Sequence, residues 1–193
     1  MLDWSLASVT TACDGVVVVL PPADASAGIA VLGTASNRPG SIVAGGATRS
    51  ESVRAGLAAV PAGAEIVVVQ DAARPLASPV LFQRVVAAVR AGADAAVPAL
   101  PVSDTIKRVE ANLVAETLDR AALVAVQTPQ AFRARMLRDA HAGAPEATDD
   151  AALVERIGGK VVVVEGERAN LKLTAAEDMV VARALLDQRP ERP

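Results

Sequence analysis

Tyrosine is absent, tryptophan occurs once and phenylalanine twice, so the chain has no aromatic platform on which nucleic-acid bases could stack. Basic residues are not in excess: 19 Lys and Arg against 22 Asp and Glu leave a net charge of −3, whereas nucleic-acid proteins usually carry a basic face. A single cysteine, Cys13, excludes a disulfide framework and a thiolate metal cluster; it reads as a small buried hydrophobe. The single histidine, His141, falls on the surface of an expected helix and is assigned no role. No apolar run reaches the roughly 18 residues of a spanning helix, so no membrane partner is expected. The opening MLDWSLASVTTACDG has an early Asp and no basic stretch, unlike a secretory signal. A soluble cytoplasmic enzyme is the expectation.

What the chain does hold is Ala and Val. Hydrophobic residues make up 52% and aromatics 2%, which predicts close layers of small and branched side chains rather than a few large anchors. A length of 193 residues suits one domain with a sizeable core. Val-rich runs at 16–20, 65–70, 95–100 and 160–165 are continuous or nearly so, as in strands buried on both faces. Helical spacing marks 48–60, 78–91, 133–142, 149–157 and 175–187. The alternation predicts an α/β fold built on a doubly wound, mostly parallel sheet. Thr48 with Glu51, and Thr174 with Glu177, have capping-box spacing, and Gly158-Gly159 ends a helix. The charged, proline-containing tail 188–193 is expected to fray.

Two stretches break the alternation. Residues 102–128 read as two extended arms joined by a turn around Glu110–Asn112. Such a protruding hairpin is rarely stable alone, and a second copy of the chain is the simplest partner for it. Residues 1–11 read as a helix already under way, with Leu2, Leu6 and Val9 on one face and no cap before them. The chain is therefore expected to start inside a βα unit.

Candidate chemistry sits at strand ends. Gly45-Gly46 leads into the capped helix carrying Arg49 and Ser52; the turn is either a site for a phosphate or base edge at the helix start or only a tight turn. Asp71 follows the 65–70 strand, with Arg74 close behind. It is placed to hold a divalent cation at the carboxyl end of a strand or to cap the next turn. Thr148-Asp149-Asp150 opens a helix. Lys172, Lys107 and Arg120 are each either solvated surface cations or phosphate ligands.

These segments together resemble the methylerythritol phosphate cytidylyltransferase family. The match runs through Gly45-Gly46-x-x-Arg49-x-x-Ser52-Val53-x-x-Gly56-Leu57, Asp71-Ala72-Ala73-Arg74-Pro75 and Pro101-Val102-x-Asp104-Thr105-Ile106-Lys107. It continues through Arg120-x-x-Leu123, Gln127-Thr128-Pro129-Gln130-x-Phe132, Thr148-Asp149-Asp150-Ala151 and Asn170-x-Lys172-x-Thr174 with Glu177-Asp178. The resemblance implies a Rossmann-like nucleotidyltransferase that moves CMP from CTP to methylerythritol 4-phosphate in isoprenoid-precursor synthesis. It implies a nucleotide pocket from Gly45, Gly46, Arg49, Ser52 and Ala72, and Mg²⁺ held by Asp71. Arg74, Thr105, Thr128, Thr148 and Lys172 would surround the acceptor phosphate. Arg120 would enter from the arm of a partner in a homodimer. The roles most directly catalytic fall to Asp71, Lys172 and Arg120.

The family's opening strand, glycine-rich loop with an Arg, and downstream Pro-Lys pair have no counterpart in this sequence, and Gln70 stands where relatives usually have His. A βα unit of roughly 30 residues would account for the uncapped start. Since one lost charge-stabilising donor typically costs about 10²–10³ in rate, little or no turnover and poor solubility are expected of the chain as written. An internally assigned start is the preferred account, ahead of an inactive, dimerising paralogue. A cytidylyltransferase for another polyol phosphate, such as ribitol 5-phosphate, is the remaining alternative.

Overall fold

Valine runs and helix-forming segments separate cleanly in space in a computed structural model that describes residues 2–25 and 40–187. The elements run α1 (Leu2–Ala12), β1 (Val16–Leu20), α2 (Pro22–Ala25), β2 (Gly40–Ala44), α3 (Arg49–Ala59), β3 (Ile66–Val69) and α4 (Pro79–Arg90). There follow β4 (Ala95–Pro101), β5 (Lys107–Glu110), β6 (Leu113–Thr117), a 3₁₀ turn (Arg120–Ala122), β7 (Val124–Val126) and β8 (Gln130–Arg133). The chain continues through α5 (Ala134–His141), α6 (Asp150–Arg156), β9 (Val161–Glu165) and α7 (Ala176–Asp187). Each expected strand and helix forms within about a residue of its expected bounds. The tail 188–193, for which fraying was expected, lies outside the described residues.

The fold is α/β, but its main sheet is mixed rather than mostly parallel. β8 lies between β3 and β4 and runs antiparallel to both, while β9 pairs parallel with the other edge of β4. The Val-rich strands β3, β4 and β9 thus share one direction, as expected. The reversal comes from β7 and β8, which successively pair along one edge of β4. Between them the Thr128–Pro129 peptide is cis. β1 and β2 form a separate parallel pair.

Small and branched side chains fill the layers as composition predicts: Ala95, Val97, Leu137, Ala151, Leu153 and Val154 on one side, Val85, Val89, Ala96 and Ala131 on the other. The expectation of no large anchors needs correction. Phe82 and Phe132, the only two phenylalanines, are both fully buried. Val9 and Ala12 of α1, with Cys13 just after it, pack against Ala77 and against Leu81 and Phe82 of α4; Cys13 is half-buried rather than buried as expected.

Caps follow the sequence with one exception. Thr48 and Glu51 form a reciprocal capping box, and Gly158 ends α6 at φ +81°. At α7 the cap is Asp178, whose Oδ2 accepts from the Thr174 and Ala175 N–H groups at 2.7 and 2.8 Å, not Glu177. Four residues separate it from Thr174, one more than a capping box spans.

β5 and β6 pair as the expected hairpin, turning at Ala111 (φ 47°) and Asn112 (φ 66°). Every residue of both strands is exposed, including Val109, Leu113 and Val114. The last part of the 102–128 segment is not arm, since β7 joins the main sheet. Among the described residues no helix is long and apolar enough to cross a membrane.

Candidate functional site

Strand ends and helix starts meet on one side of the molecule. The turn after β2 needs glycine for close approach. A Cβ on Gly45 would lie 2.7 Å from Ser52 Oγ, and one on Gly46 would lie 2.3 Å from Glu51 Cβ. The Gly45 N–H donates to the Leu20 carbonyl at 2.8 Å and the Gly46 N–H to Ser52 Oγ at 3.2 Å. This ties the turn to β1 and to α3. Arg49 follows as the first residue of α3, beside the positive end of the helix dipole.

Asp71 sits just past β3 and faces two cations. Lys172 Nζ is 3.1 Å from its Oδ2, and Arg49 Nε is 3.6 Å from its Oδ1. Its own N–H donates to Thr128 Oγ1 at 3.1 Å. The carboxylate after β3 therefore faces the glycine-opened helix, as the candidate site requires.

Arg49 is shared between two carboxylates. Its Nη2 donates to Asp150 Oδ2 at 2.8 Å, and its Nη1 is buried without a hydrogen-bond partner. Burial works to lower the Arg49 pKa. The hydrogen bond to Asp150, and then the charges of Asp150, Asp71 and Asp149, outweigh burial and raise it. Asp150 shows the mirror image. Burial pushes its carboxyl up, while hydrogen bonds from His141 and Arg49 and their charges hold it below its ordinary value.

Arg74 lies beneath the same surface. Its Nη1 donates to the Asn170 carbonyl at 2.9 Å, and its Nη2 to the Val126 carbonyl at 3.4 Å. Burial draws its pKa down, with the charge of Asp71 opposing. Gln70 braces this loop by donating to the Asp71 and Arg74 carbonyls at 3.2 and 2.8 Å. The loop after β9 is pinned across it by the Leu173 N–H on the Ala73 carbonyl at 2.7 Å. Buried Asn170 donates to the Thr128 carbonyl at 2.8 Å and to Gln127 Oε1 at 3.3 Å, so Thr128, Arg74 and Lys172 are positioned by one polar network.

The structure thus brings together Gly45, Gly46, Arg49, Ser52, Asp71, Arg74, Thr128 and Lys172. Ala72 is exposed, its carbonyl accepting from Ser5 Oγ at 3.5 Å. Thr148 is exposed two residues before Asp150. Thr105 and Arg120 stand apart at the base of the arm, where Arg120 donates to the Ser103 carbonyl.

His141, expected on a helix surface, is instead buried. The ring is 3% exposed, and its Nε2 is 3.0 Å from Asp150 Oδ1. The missed signal is periodicity: Ala134, Leu137 and His141 share the buried face of α5.

A carboxylate between two cations, at a glycine-opened helix start on an α/β sheet, has the chemistry that suits a phosphate-bearing ligand. The solved structures agree on the class. A 4-diphosphocytidyl-2C-methyl-D-erythritol synthase from Anaerococcus prevotii superposes with TM-score 0.88 at 31% identity, covering 97% of this chain and 89% of its own. A 2-C-methyl-D-erythritol 4-phosphate cytidylyltransferase from Thermus thermophilus gives 0.81 at 39%, covering 96% and 88%. The fold is that of a Rossmann-like nucleotidyltransferase. Residues 1–188 match the family model for 2-C-methyl-D-erythritol 4-phosphate cytidylyltransferase, and the chain belongs to that family. The relative so named from Nocardia farcinica is 54% identical over 149 residues, covering 77% of this chain and 64% of its own length. The one from Rhodococcus opacus is 49% identical over 181 residues, covering 92% and 77%.

Proposed function

We propose that this chain transfers CMP from CTP to 2-C-methyl-D-erythritol 4-phosphate, releasing pyrophosphate in isoprenoid-precursor synthesis, as a cytoplasmic homodimer. The observation that carries the reading is Asp71 flanked by Lys172 at 3.1 Å and Arg49 at 3.6 Å, beside the Gly45-Gly46 turn. The names of the relatives supply the reaction, and the site's charges suit it.

In this reading CTP lies against Gly45, Gly46, Arg49, Ser52 and Ala72. Arg49, whose side chain is 32% exposed, offers its guanidinium to it. The acceptor phosphate meets Lys172, Arg74, Thr128, Thr148 and Thr105, with Arg120 supplied from a partner's arm. A phosphate oxygen of the acceptor attacks the α-phosphorus as the bond to pyrophosphate breaks. That oxygen is already ionised at neutral pH, so the chain needs no general base. Its residues act by holding two crowded anions in line and offsetting their charge.

Mg²⁺ fits this donor set. Among the described residues no three His, Cys, Asp or Glu side chains gather to cage an ion. Mg²⁺ is commonly taken by one carboxylate and completed by phosphates and water. Asp71 would hold it, because Arg49 at 3.6 Å is beyond hydrogen-bond reach of Oδ1 and leaves that oxygen able to take a cation. The chemistry supplied at Asp71 by such an ion would be an offset to the charge of the phosphates.

The test is pyrophosphate release from CTP with methylerythritol 4-phosphate, and with ribitol 5-phosphate as the control acceptor. Turnover, expected to be slight for the chain as written, should be seen with the first acceptor only, and Asp71→Asn should reduce it further, by about 10²-fold or more. Release that favours ribitol 5-phosphate over methylerythritol 4-phosphate, or an unaffected Asp71→Asn chain, would overturn the proposal.

A further inference from the structure

The pair His141 and Asp150 suits the helix dipoles, with Asp150 in the first turn of α6 and His141 in the last turn of α5, but those ends do not require burial. α6 is capped by Asp149, whose Oδ1 accepts the Ala152 N–H at 3.0 Å. Asp150, one residue further on, turns inward, 1% exposed. Burying an ion pair is seldom a net gain in stability, and apolar replacements are often neutral or better. The position therefore points to a role in placing something.

What it places is Arg49. An arginine at the start of a helix has many rotamers, and this one stands beside two carboxylates. Left to itself, the guanidinium fork would close on Asp71, because bidentate pairing is its strongest geometry. Instead Asp150 Oδ2 holds Nη2 at 2.8 Å, and Nε stays 3.6 Å from Asp71 Oδ1. Nη1 is left without a partner. The other Asp150 oxygen is fixed by His141 Nε2 at 3.0 Å. His141 is set in turn by α5, whose buried face includes Leu137 and Ala140.

We propose that Asp150 and His141 are positioning residues that hold Arg49 off Asp71 and keep the exposed part of its guanidinium turned to the nucleotide. The identity of that nucleotide rests on the cytidylyl-transfer reading; the placement of Arg49 does not. Remote as it is, His141 thereby contributes to CTP affinity. Supporting residues of this kind typically cost about 10–100-fold in binding or activity when removed.

The experiment compares the wild-type chain with Asp150→Asn, His141→Leu and His141→Gln. CTP binding is followed by calorimetry, and the Arg49 Nε–Hε signal by NMR in the absence of nucleotide, assigned by its loss in Arg49→Lys. Asp150→Asn keeps the shape but not the charge. His141→Gln keeps a donor near the Nε2 position, whereas His141→Leu does not. Asp150→Asn and His141→Leu are expected to shift the Arg49 signal and weaken CTP binding about 10-fold or more, with His141→Gln restoring both. A structural role alone would not be rescued in this pattern. Should His141→Leu fail to fold, Asp150→Asn against His141→Gln makes the same comparison. Unchanged CTP binding in a folded Asp150→Asn chain, or an unmoved Arg49 signal, overturns the inference. A wild-type chain that does not bind CTP overturns the cytidylyl-transfer reading instead, and the Arg49 signal still decides the positioning.

Discussion

One added methyl at Gly46 should separate the steric demands of the turn from its hydrogen bonds. The new Cβ would stand 2.3 Å from Glu51 Cβ and 2.6 Å from Glu51 Oε2, against a comfortable carbon–carbon separation of about 3.5–4.0 Å. The carboxylate can rotate away, but a Cβ moves only with its backbone. Either the turn or the first turn of α3 must therefore shift by about 1 Å to reach even a tight contact. Rotation of Glu51 also removes its bonds from the Ala47 and Thr48 N–H groups, at 2.6 and 3.3 Å. Losing the cap costs about 1 kcal/mol, and overpacking adds about 1–3 kcal/mol. At about 2–4 °C of Tm per kcal/mol for a chain of this size, Gly46→Ala should melt roughly 5–15 °C lower. A 1 Å misplacement at a site of oriented reactants costs about 10²-fold in kcat/KM. Glu51→Ala is the control, since it removes the cap without the clash: about 1 kcal/mol of stability and little change in kinetics. Thermal melts and pyrophosphate release against CTP concentration would be measured on both variants. A Gly46→Ala chain with wild-type Tm and KM, or a Glu51→Ala chain with the full kinetic defect, would refute the reasoning.

Further outcomes follow from other contacts. Phe132→Ala, at a fully buried position, should cost about 3–5 kcal/mol in urea unfolding, and a loss below about 1 kcal/mol would mean the site collapses freely. Asn170→Leu removes the bonds to Thr128 and Gln127; a loss of about 1–3 kcal/mol and a raised KM for the phosphate acceptor are expected, and an unchanged KM would disconnect this network from the site. The Asp150 carboxyl is held below its ordinary value in the folded chain, so its contribution is complete above the ordinary aspartate range and is lost as pH falls through the lowered folded value. Stability of Asp150→Asn should accordingly decline less than wild type below about pH 4, and parallel acid limbs would count against the pairing. If the exposed β5–β6 arm joins two copies, Leu113→Asp with Val114→Asp should convert a dimer to a monomer on size exclusion without lowering Tm. A wild-type chain that elutes as a monomer would remove the arm from that role.

Most of the frame could be read from the chain because its signals are local. β1, β3 and β9 are Val-rich runs and β4 is an Ala-rich one, and Thr48, Ser78 and Asp149 cap α3, α4 and α6 with their own side chains. β8 carries no such signal, because Gln130–Arg133 has four residues, polar ends and a preceding proline. Gln130 can be 1% exposed in a central strand only because its Nε2 donates to Asp149 Oδ2 at 3.1 Å. That partner lies 19 residues away, and no local pattern reports it. The mixed direction of the sheet was hidden for the same reason.

The site divides in the same way. Gly45-Gly46, Asp71 and Lys172 stand at element ends, where short motifs mark them, but what orients them is a chain of nitrogen groups alternating with carboxylates. It runs from Lys172 to Asp71 to Arg49 to Asp150 to His141, and each link crosses from one element to another. Apolar strands alone would fix the depth and direction of each loop but not the rotation of its side chains, since burial is non-directional. Hydrogen-bonded charges supply that missing direction, at the cost of desolvation. Lys172 and Asp71 keep 48% and 20% exposure at one end, whereas His141 and Asp150 keep 3% and 1% at the other. The network is therefore adjustable where an anionic ligand would compete for Lys172, and rigid where it is anchored. Arg49, 32% exposed, stands at the boundary, which is why the buried end rather than the open one should govern how tightly the nucleotide is held.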